Sequence, residues 1–514
     1  MNLNFYRFVA AVCAVVFIHS TLSKVYADDS AQKLVIIHTN DTHSRIDPES
    51  DGTGGVARRQ VVIDSLRSVY PNLMLVDAGD ALQGSLYYTL FSGQVERALM
   101  NELGYDIQIL GNHEFDGGME NLHRYAATSG AVNISTNYDF TATALDTIIR
   151  PYIVKEFNGR KVGFIAINLD PDGIIFAGSS KGVKYIDGLK AANATAWHLK
   201  HNEKVDLIVA LTHIGYSLDY ALSDVELASK SEDIDIIIGG HSHTLINPAD
   251  PKSVPSRITN QVGDTVLIAQ AGYGGKNVGM ITIDLPTLKS SSALIPVDSR
   301  LDDRLSPRTV AIIDGFRDRV DSILAVKIHH TPVDLKKSDW TLVNLIADII
   351  AEEGGQLVGK KVDMAIMNKG GLRCDITEGD ITEGKIMEML PFDNKIVVME
   401  ISGKDLLDAF DSMARRRGEG ISKTAFAPID SSQRKCSDVT VGGKPIDPDR
   451  TYLVATVDYV ATGGDYMTPL KNGVIIARSS DILYKDIIGH LNKNFKAGKK
   501  LKADKKVRMP LVKE

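Results

Sequence analysis

The amino-acid sequence predicts an α/β fold in two parts: an N-terminal layered domain with helices around β-sheets, and a smaller α+β C-terminal domain. Composition is the first reason. The 514 residues are 44% hydrophobic and 24% charged, which is globular composition in a chain long enough for more than one core. The second is a recurrent pattern between Lys33 and about Arg300, where short runs rich in Val, Ile and Leu each end in Asp, Asn, His or Gly. The third is that helical stretches at 55–69, 94–103 and 189–201 separate some of these runs. Continuous apolar runs of this length read as strands buried on both faces. Strands alternating with helices make a layered α/β domain whose ligands gather where strands end.

Each strand carries its own polar cluster. The run 34–37 leads into His38-Thr39-Asn40-Asp41-Thr42-His43, and 73–76 into Asp77-Ala78-Gly79-Asp80. The run 107–110 leads into Gly111-Asn112-His113-Glu114, 205–211 into Thr212-His213, and 234–238 into Gly239-Gly240-His241-Ser242-His243. Residues 306–326 place apolar side chains at helical spacing and read as an amphipathic helix joining the domains. Beyond it, the C-terminal part mixes a helix at 341–352 with strand-like runs at 364–367, 396–401 and 452–456 and several glycine-rich turns. The Lys-rich stretch 493–506 reads as a solvated helix face and tail.

Other features bound the class. With 58 basic against 65 acidic residues the net charge is −7, which argues against a general nucleic-acid binder. Residues 1–27 read as a secretory signal peptide: Arg7 ends a short positive segment, an apolar run follows, and Val25-Tyr26-Ala27 offers a cleavage site. The apolar run is shorter than the roughly 20 residues a membrane span needs. The expected location is periplasmic or secreted, with no stable membrane anchor. After cleavage Cys374 and Cys436 are the remaining thiols, and in an oxidising compartment they could pair.

The polar clusters have the chemistry of a two-metal site. Asp41 and His43 alternate, as do His241 and His243, while Asp80, Asn112 and His213 stand at other strand ends. A hydrolytic metal takes three or four N/O ligands and an open position, and two ions about 3.5–4 Å apart need a shared carboxylate. Mixed His, carboxylate and amide ligands suit zinc, manganese or cobalt better than calcium, without choosing among them.

The motifs Asp41-x-His43, Gly79-Asp80, Gly111-Asn112-His113-Glu114, His213 and Gly240-His241-x-His243 resemble the calcineurin-like metallophosphoesterases. Extended to residues 38–43, Gly111-Asn112-His113-Glu114-Phe115-Asp116 and Asn368-x-Gly370-Gly371-Leu372-Arg373, the match is to the secreted 5′-nucleotidases. That group includes the bacterial periplasmic UDP-sugar hydrolases and animal ecto-5′-nucleotidase. The resemblance implies a metallophosphoesterase domain at 28–304, a linker helix at 305–330 and a 5′-nucleotidase substrate-binding domain at 331–514. It implies two divalent metal ions, zinc or manganese first and cobalt or magnesium after them. One ion would be held by Asp41, His43, Asp80 and His243, the other by Asp80, Asn112, His213 and His241. His113 and Asp116 match the catalytic dyad. Asn368, Gly370, Gly371 and Arg373 match substrate contacts.

The implied reaction is in-line attack of an acidified water on phosphorus, releasing phosphate from nucleoside 5′-monophosphates and extending to UDP-sugars or 2′,3′-cyclic nucleotides. Alternatives keep the metals but use a sugar phosphate or thiosulfonate ester, or make the chain a non-catalytic nucleotide scavenger or adhesin. The chain departs from the family in the substrate region. Lys336 stands about where an arginine is usual, and lacks its bidentate fork. Of the two rings that hold a base, the first expected slot falls at Ile421 with Phe426 the nearest ring, and the second at Met467 beside Tyr466. The acid that helps hold the ribose has no clear counterpart near Lys471-Asn472. The expected partner is thus a small-molecule nucleotide, not nucleic acid; nothing in the sequence sets the oligomeric state.

Overall fold

The computed structural model describes residues 30–176, 178–218 and 221–512, so the expected signal peptide lies outside the described residues. Two six-stranded sheets form the N-terminal domain. In the first, Lys33–Thr39, Leu73–Asp77, Ile107–Gln108 and Val132–Asn133 run parallel, with antiparallel Asn277–Asp284 and Ser290–Pro296 at one side. In the second, Arg160–Asn168, Leu207–His213, Ile236–Ile238 and Thr265–Ala269 are parallel between antiparallel edges.

Side-chain alternation explains how the sheets stack. Leu34 and Ile36 pack with Phe164, Val209 and Ile238 in a core between the two sheets. Val35 and Ile37 point the other way and pack with Val95, Leu99 and Ile313 from helices. The strands are therefore apolar on successive residues because each face is covered. The second sheet is covered likewise, with Ala192, Ala196 and Leu227 on its outer face.

The joining helix is Pro307–Leu324. Ser306 caps it through the Thr309 amide and Pro307 opens its first turn. It buries Ile313 and Val320 in the N-terminal core and also packs on the C-terminal helix Glu383–Met389. It is a wedge between domains more than a free tether.

The C-terminal domain is built on a five-stranded sheet, in the order Gly420–Ile421, Met364–Met367, Thr451–Val457, Ile396–Ser402 and Val474–Arg478. The helix expected at 341–352 runs as Thr341–Val358. Gly354, beyond the expected end at 352, is a contact point: a Cβ there would lie 2.6 Å from the Ala455 Cβ of the central strand. Glycine lets the helix sit down on the sheet.

Cys374 and Cys436 are both free thiols, Cys436 facing the Phe410 carbonyl with its pKa pushed up to about 12 by burial. The lysines of 493–506 are exposed, as expected of a solvated helix face and tail, and the chain returns to the core just beyond them. Arg508 is 2% exposed, donates to both oxygens of Asp348 at 2.8 Å, and also reaches Asp504 and the Ile421 carbonyl. Asn344 holds the same tail through the Asp504 and Lys506 carbonyls. Arg508→Ala takes the cationic partner from the Asp348 carboxylate, which keeps the Lys423 amide, and is expected to cost about 3 kcal/mol of stability. Denaturant unfolding measures it, and an unchanged midpoint would show that the tail contributes nothing. Among the described residues, no helix is long and apolar enough to cross a membrane.

Candidate metal centre and substrate cleft

The parallel strands deliver their polar ends to one place. Asp41, His43 and His243 offer ligand atoms within 4.8 Å of one another, and so do Asp80, His213 and His241. A third group of this kind joins His43, Asp80 and His113. Asn112 completes the set, with its Oδ1 3.0 Å from His241 Nδ1. All seven expected ligands are thus gathered, and Asp80 lies between the two halves: its Oδ2 is 3.7 Å from His43 Nε2 and 3.1 Å from His213 Nε2.

Local backbone is bent to achieve this. Asp41, His43, Asp80, His241 and His243 all have φ between 47° and 75°, the left-handed region that side chains other than glycine avoid. Each such residue costs on the order of 1–3 kcal/mol, which folding elsewhere must offset. Glycine is required where the turns meet: a Cβ on Gly111 would stand 2.2 Å from Asp80 Oδ1. Glu114, fully buried, ties the turns together by accepting the amides of Asp80, Ala81, Leu82 and Gly111 at 2.6–3.1 Å. Its clamping role is not evident in the motif, because four amides from two separate strand ends converge on it only in the folded chain.

The donor atoms fit a cation. His213 Nδ1 is 2.7 Å from the Ala78 carbonyl, which directs Nε2 toward the cluster. That Nε2 is buried without a hydrogen-bond partner although Asp80 Oδ2 is near. A buried imidazole nitrogen and a carboxylate oxygen at 3.1 Å are a pair of donor atoms that one cation can share. Burial lowers the His241 pKa to about 3 and, with Arg373, holds His43 well below the ordinary imidazole value. Both are therefore neutral, the form that ligates metals. Burial raises Asp41, whereas His213 and His113 hold Asp80 well below the usual carboxylate range despite its burial.

Beside this cluster, His113 Nδ1 is 2.8 Å from Asp116 Oδ2. The pair spans one short helical turn, His113–Phe115, so the residues three apart face each other. Burial works against the His113 imidazolium, but the Asp116 and Asp80 carboxylates outweigh it and raise its pKa.

A cleft of about 690 Å³ opens over the cluster between the two domains. His113, Asp116, His241 and His243 line one wall, and Asn368, Gly370, Gly371 and Arg373 the other. Arg373 reaches across the seam, its Nη2 3.3 Å from His43 Nε2. Asn368 Nδ2 donates to Asp465 at 2.6 Å, while its Oδ1 is buried without a partner. Arg416 pairs with both Asp465 and Glu419.

Three of the expected substrate contacts are elsewhere. Lys336 is half-exposed and pairs with Asp334 at 2.9 Å; neighbouring residues point to opposite sides, and Lys337 is the one that turns inward, donating to the Leu372 carbonyl. Phe426 pairs through its strand with Thr440 and carries Lys506 over its ring, outside the cleft. Tyr466 stands at the domain seam, its ring against Gly173, and does not line the cleft. Ile421 and Met467 are fully buried in the C-terminal core. The cleft instead contains Phe176, Phe392, Arg416, Tyr459 and Asp465. None carries a local signal that would single it out, since Phe176 comes from the N-terminal domain and the other four from separate segments of the C-terminal domain.

Residues 34–245 match the calcineurin-like phosphoesterase family, and residues 318–472 match the 5′-nucleotidase C-terminal domain. The chain is 27% identical to the 5′-nucleotidase of Mus musculus over 516 residues, covering 88% of this chain and 86% of that protein. It is 29% identical to a trifunctional nucleotide phosphoesterase protein of Bacillus subtilis over 85% of its own length, but spans only 32% of that relative. Among solved structures, the 5′-nucleotidase precursor of Thermus thermophilus superimposes with a TM-score of 0.82 at 27% identity, covering 94% of this chain and all of that one. Both halves of the molecule, matched in this order and meeting over the buried His/Asp cluster, place the chain in the 5′-nucleotidase family of metallophosphoesterase hydrolases.

Proposed function

We propose that the protein is an exported phosphohydrolase that releases phosphate from nucleoside 5′-monophosphates, with UDP-sugars and 2′,3′-cyclic nucleotides as further substrates. The observation that carries the reading is Arg373, a C-terminal-domain guanidinium brought to 3.3 Å from His43 inside the cluster. A guanidinium beside a group of metal-ligand side chains is a site for a phosphate that both domains must grip. Asp41, His43, Asp80 and His243 would hold one divalent ion, and Asp80, Asn112, His213 and His241 the other. When bound, two such ions supply Lewis acidity toward phosphoryl oxygens and an acidified water nucleophile.

The protein's own side chains do the rest. Arg373 orients the phosphate by its fork of donors. His113, held by Asp116 and positioned beside Asp80, stabilises charge that develops on the phosphoryl group and on the leaving oxygen. Asn368, its Nδ2 held by Asp465, lines the same wall beside Arg373 as a further substrate contact. Export rests on residues 1–27, whose charge and apolar pattern is that of a signal peptide.

A phosphate-release assay on metal-loaded protein tests the reading, with AMP, GMP, UMP, CMP, UDP-glucose and glucose phosphate at equal concentration. Faster release from the monophosphates than from glucose phosphate supports it, as does loss of release on chelation. Equal release across the panel would leave a phosphohydrolase without nucleotide preference, and inertness toward every nucleotide would overturn the proposal.

A further inference from the structure

We infer that the nucleobase is held by a ring from the metallophosphoesterase domain, Phe176, so that base recognition is supplied across the domain seam. The inference rests on the proposed nucleotide substrate and names how this site would select it. The C-terminal domain has no ring to offer at the positions where one is expected, since Ile421 and Met467 are in its core and Phe426 is outside the cleft. Phe176 is in the cleft and is 50% exposed, so a face of its ring is not taken up by core packing.

The ring is placed, not merely loose. A Cβ on Gly178 would stand 2.7 Å from Phe176 Cε1, so the ring lies directly over the backbone of its own loop. The loop in turn is fastened to the opposite domain. Tyr459 Oη donates to the Ile174 carbonyl at 3.1 Å, Lys471 pairs with Asp172 at 3.5 Å, and Tyr466 packs on Gly173. A ring supported from behind, open in front and anchored at both walls of a cleft is a stacking platform for a flat heterocycle. Phe392 is less suited to this task, because its ring centroid is 5.8 Å from that of His113 and it borders the phosphate end.

Two consequences follow from where the ring originates. Base binding and phosphate binding would each need both domains, Phe176 and the His/Asp cluster from one, Asn368 and Arg373 from the other. A π-face attracts any base, so the platform favours a base over no base without strong choice between purine and pyrimidine.

The test compares kcat/KM for AMP and for ribose 5-phosphate, which lacks a base, in wild type, Phe176→Ala and Phe176→Trp. The expected result is that Phe176→Ala lowers the AMP to ribose 5-phosphate ratio about 5- to 150-fold, mainly through KM for AMP, and that Phe176→Trp retains the ratio. A ratio unchanged in Phe176→Ala overturns the inference, including the case where both substrates fall together because the loop has moved. So does a Trp variant as impaired as the Ala variant. A wild type that hydrolyses both substrates equally would also overturn it while leaving phosphohydrolase activity standing. A wild type inert toward AMP removes the nucleotide reading and this inference with it.

Discussion

Replacing Asp80 by Asn is expected to abolish turnover to within measurement, a loss on the order of 10³-fold or more, together with about one equivalent of bound metal. The expectation comes from position. Asp80 Oδ2 is 3.7 Å from His43 Nε2 and 3.1 Å from His213 Nε2, so one carboxylate serves both halves of the cluster. An amide of the same shape keeps the packing but removes the negative charge that would hold two cations close together. The fold should survive, since Asp80 Oδ1 also accepts the His113 amide and an amide oxygen can take that bond. Elemental analysis beside a phosphate-release assay checks both halves of the claim. A variant with full metal content and wild-type rate would refute the bridging position.

The second large effect is at His113. His113→Ala is expected to lower kcat by about 10²- to 10⁴-fold while metal content stays at the wild-type level. His113 is adjacent to the cluster, yet its Nδ1 is committed to Asp116 at 2.8 Å, which leaves Nε2 to face the substrate. The Asp116 carboxylate also sets the direction of a pH effect. Burial opposes the imidazolium, and Asp116 is the leading group that raises its pKa against that cost. Asp116→Asn therefore lowers the His113 pKa, and the falling, alkaline limb of the pH–rate profile moves to lower pH. Added imidazole restoring part of the rate to His113→Ala would separate a chemical role from a packing role. Loss of metal from that variant would instead make His113 part of the metal cluster.

Much of the site is legible in the amino-acid sequence alone. The five strand-end clusters are readable because a parallel strand buried on both faces leaves an unbroken apolar run. The polar residues that end each run must then lie at the C-terminal edge of its sheet, and the stacking of the two sheets brings Asp41 of the first to His243 of the second, 202 positions away in the chain. The dyad is legible through the family resemblance, and the structure shows why the spacing works: residues 113 and 116 face each other in a single helical turn. The cleft is another matter. Lys336 and Lys337 differ by one place, and which of them turns inward depends on the extended segment's pairing, fixed by Leu335 opposite Ile376.

Sequence by itself determined the α/β class and the polar clusters at the strand ends, because periodicity carries that information, and the resemblance to the family singled out His113 and Asp116 among them. Only the tertiary structure decided the doubled sheet, the docking of Arg508, the clamp by Glu114, and the ring that reaches the cleft. Those depend on which faces of distant segments meet. Phe176 meets Arg416 and Asp465 in one cavity because the two domains meet at a particular angle, with the helix Pro307–Leu324 packed against both. No local pattern encodes that angle; it follows from how the buried surfaces of both domains fit around the helix.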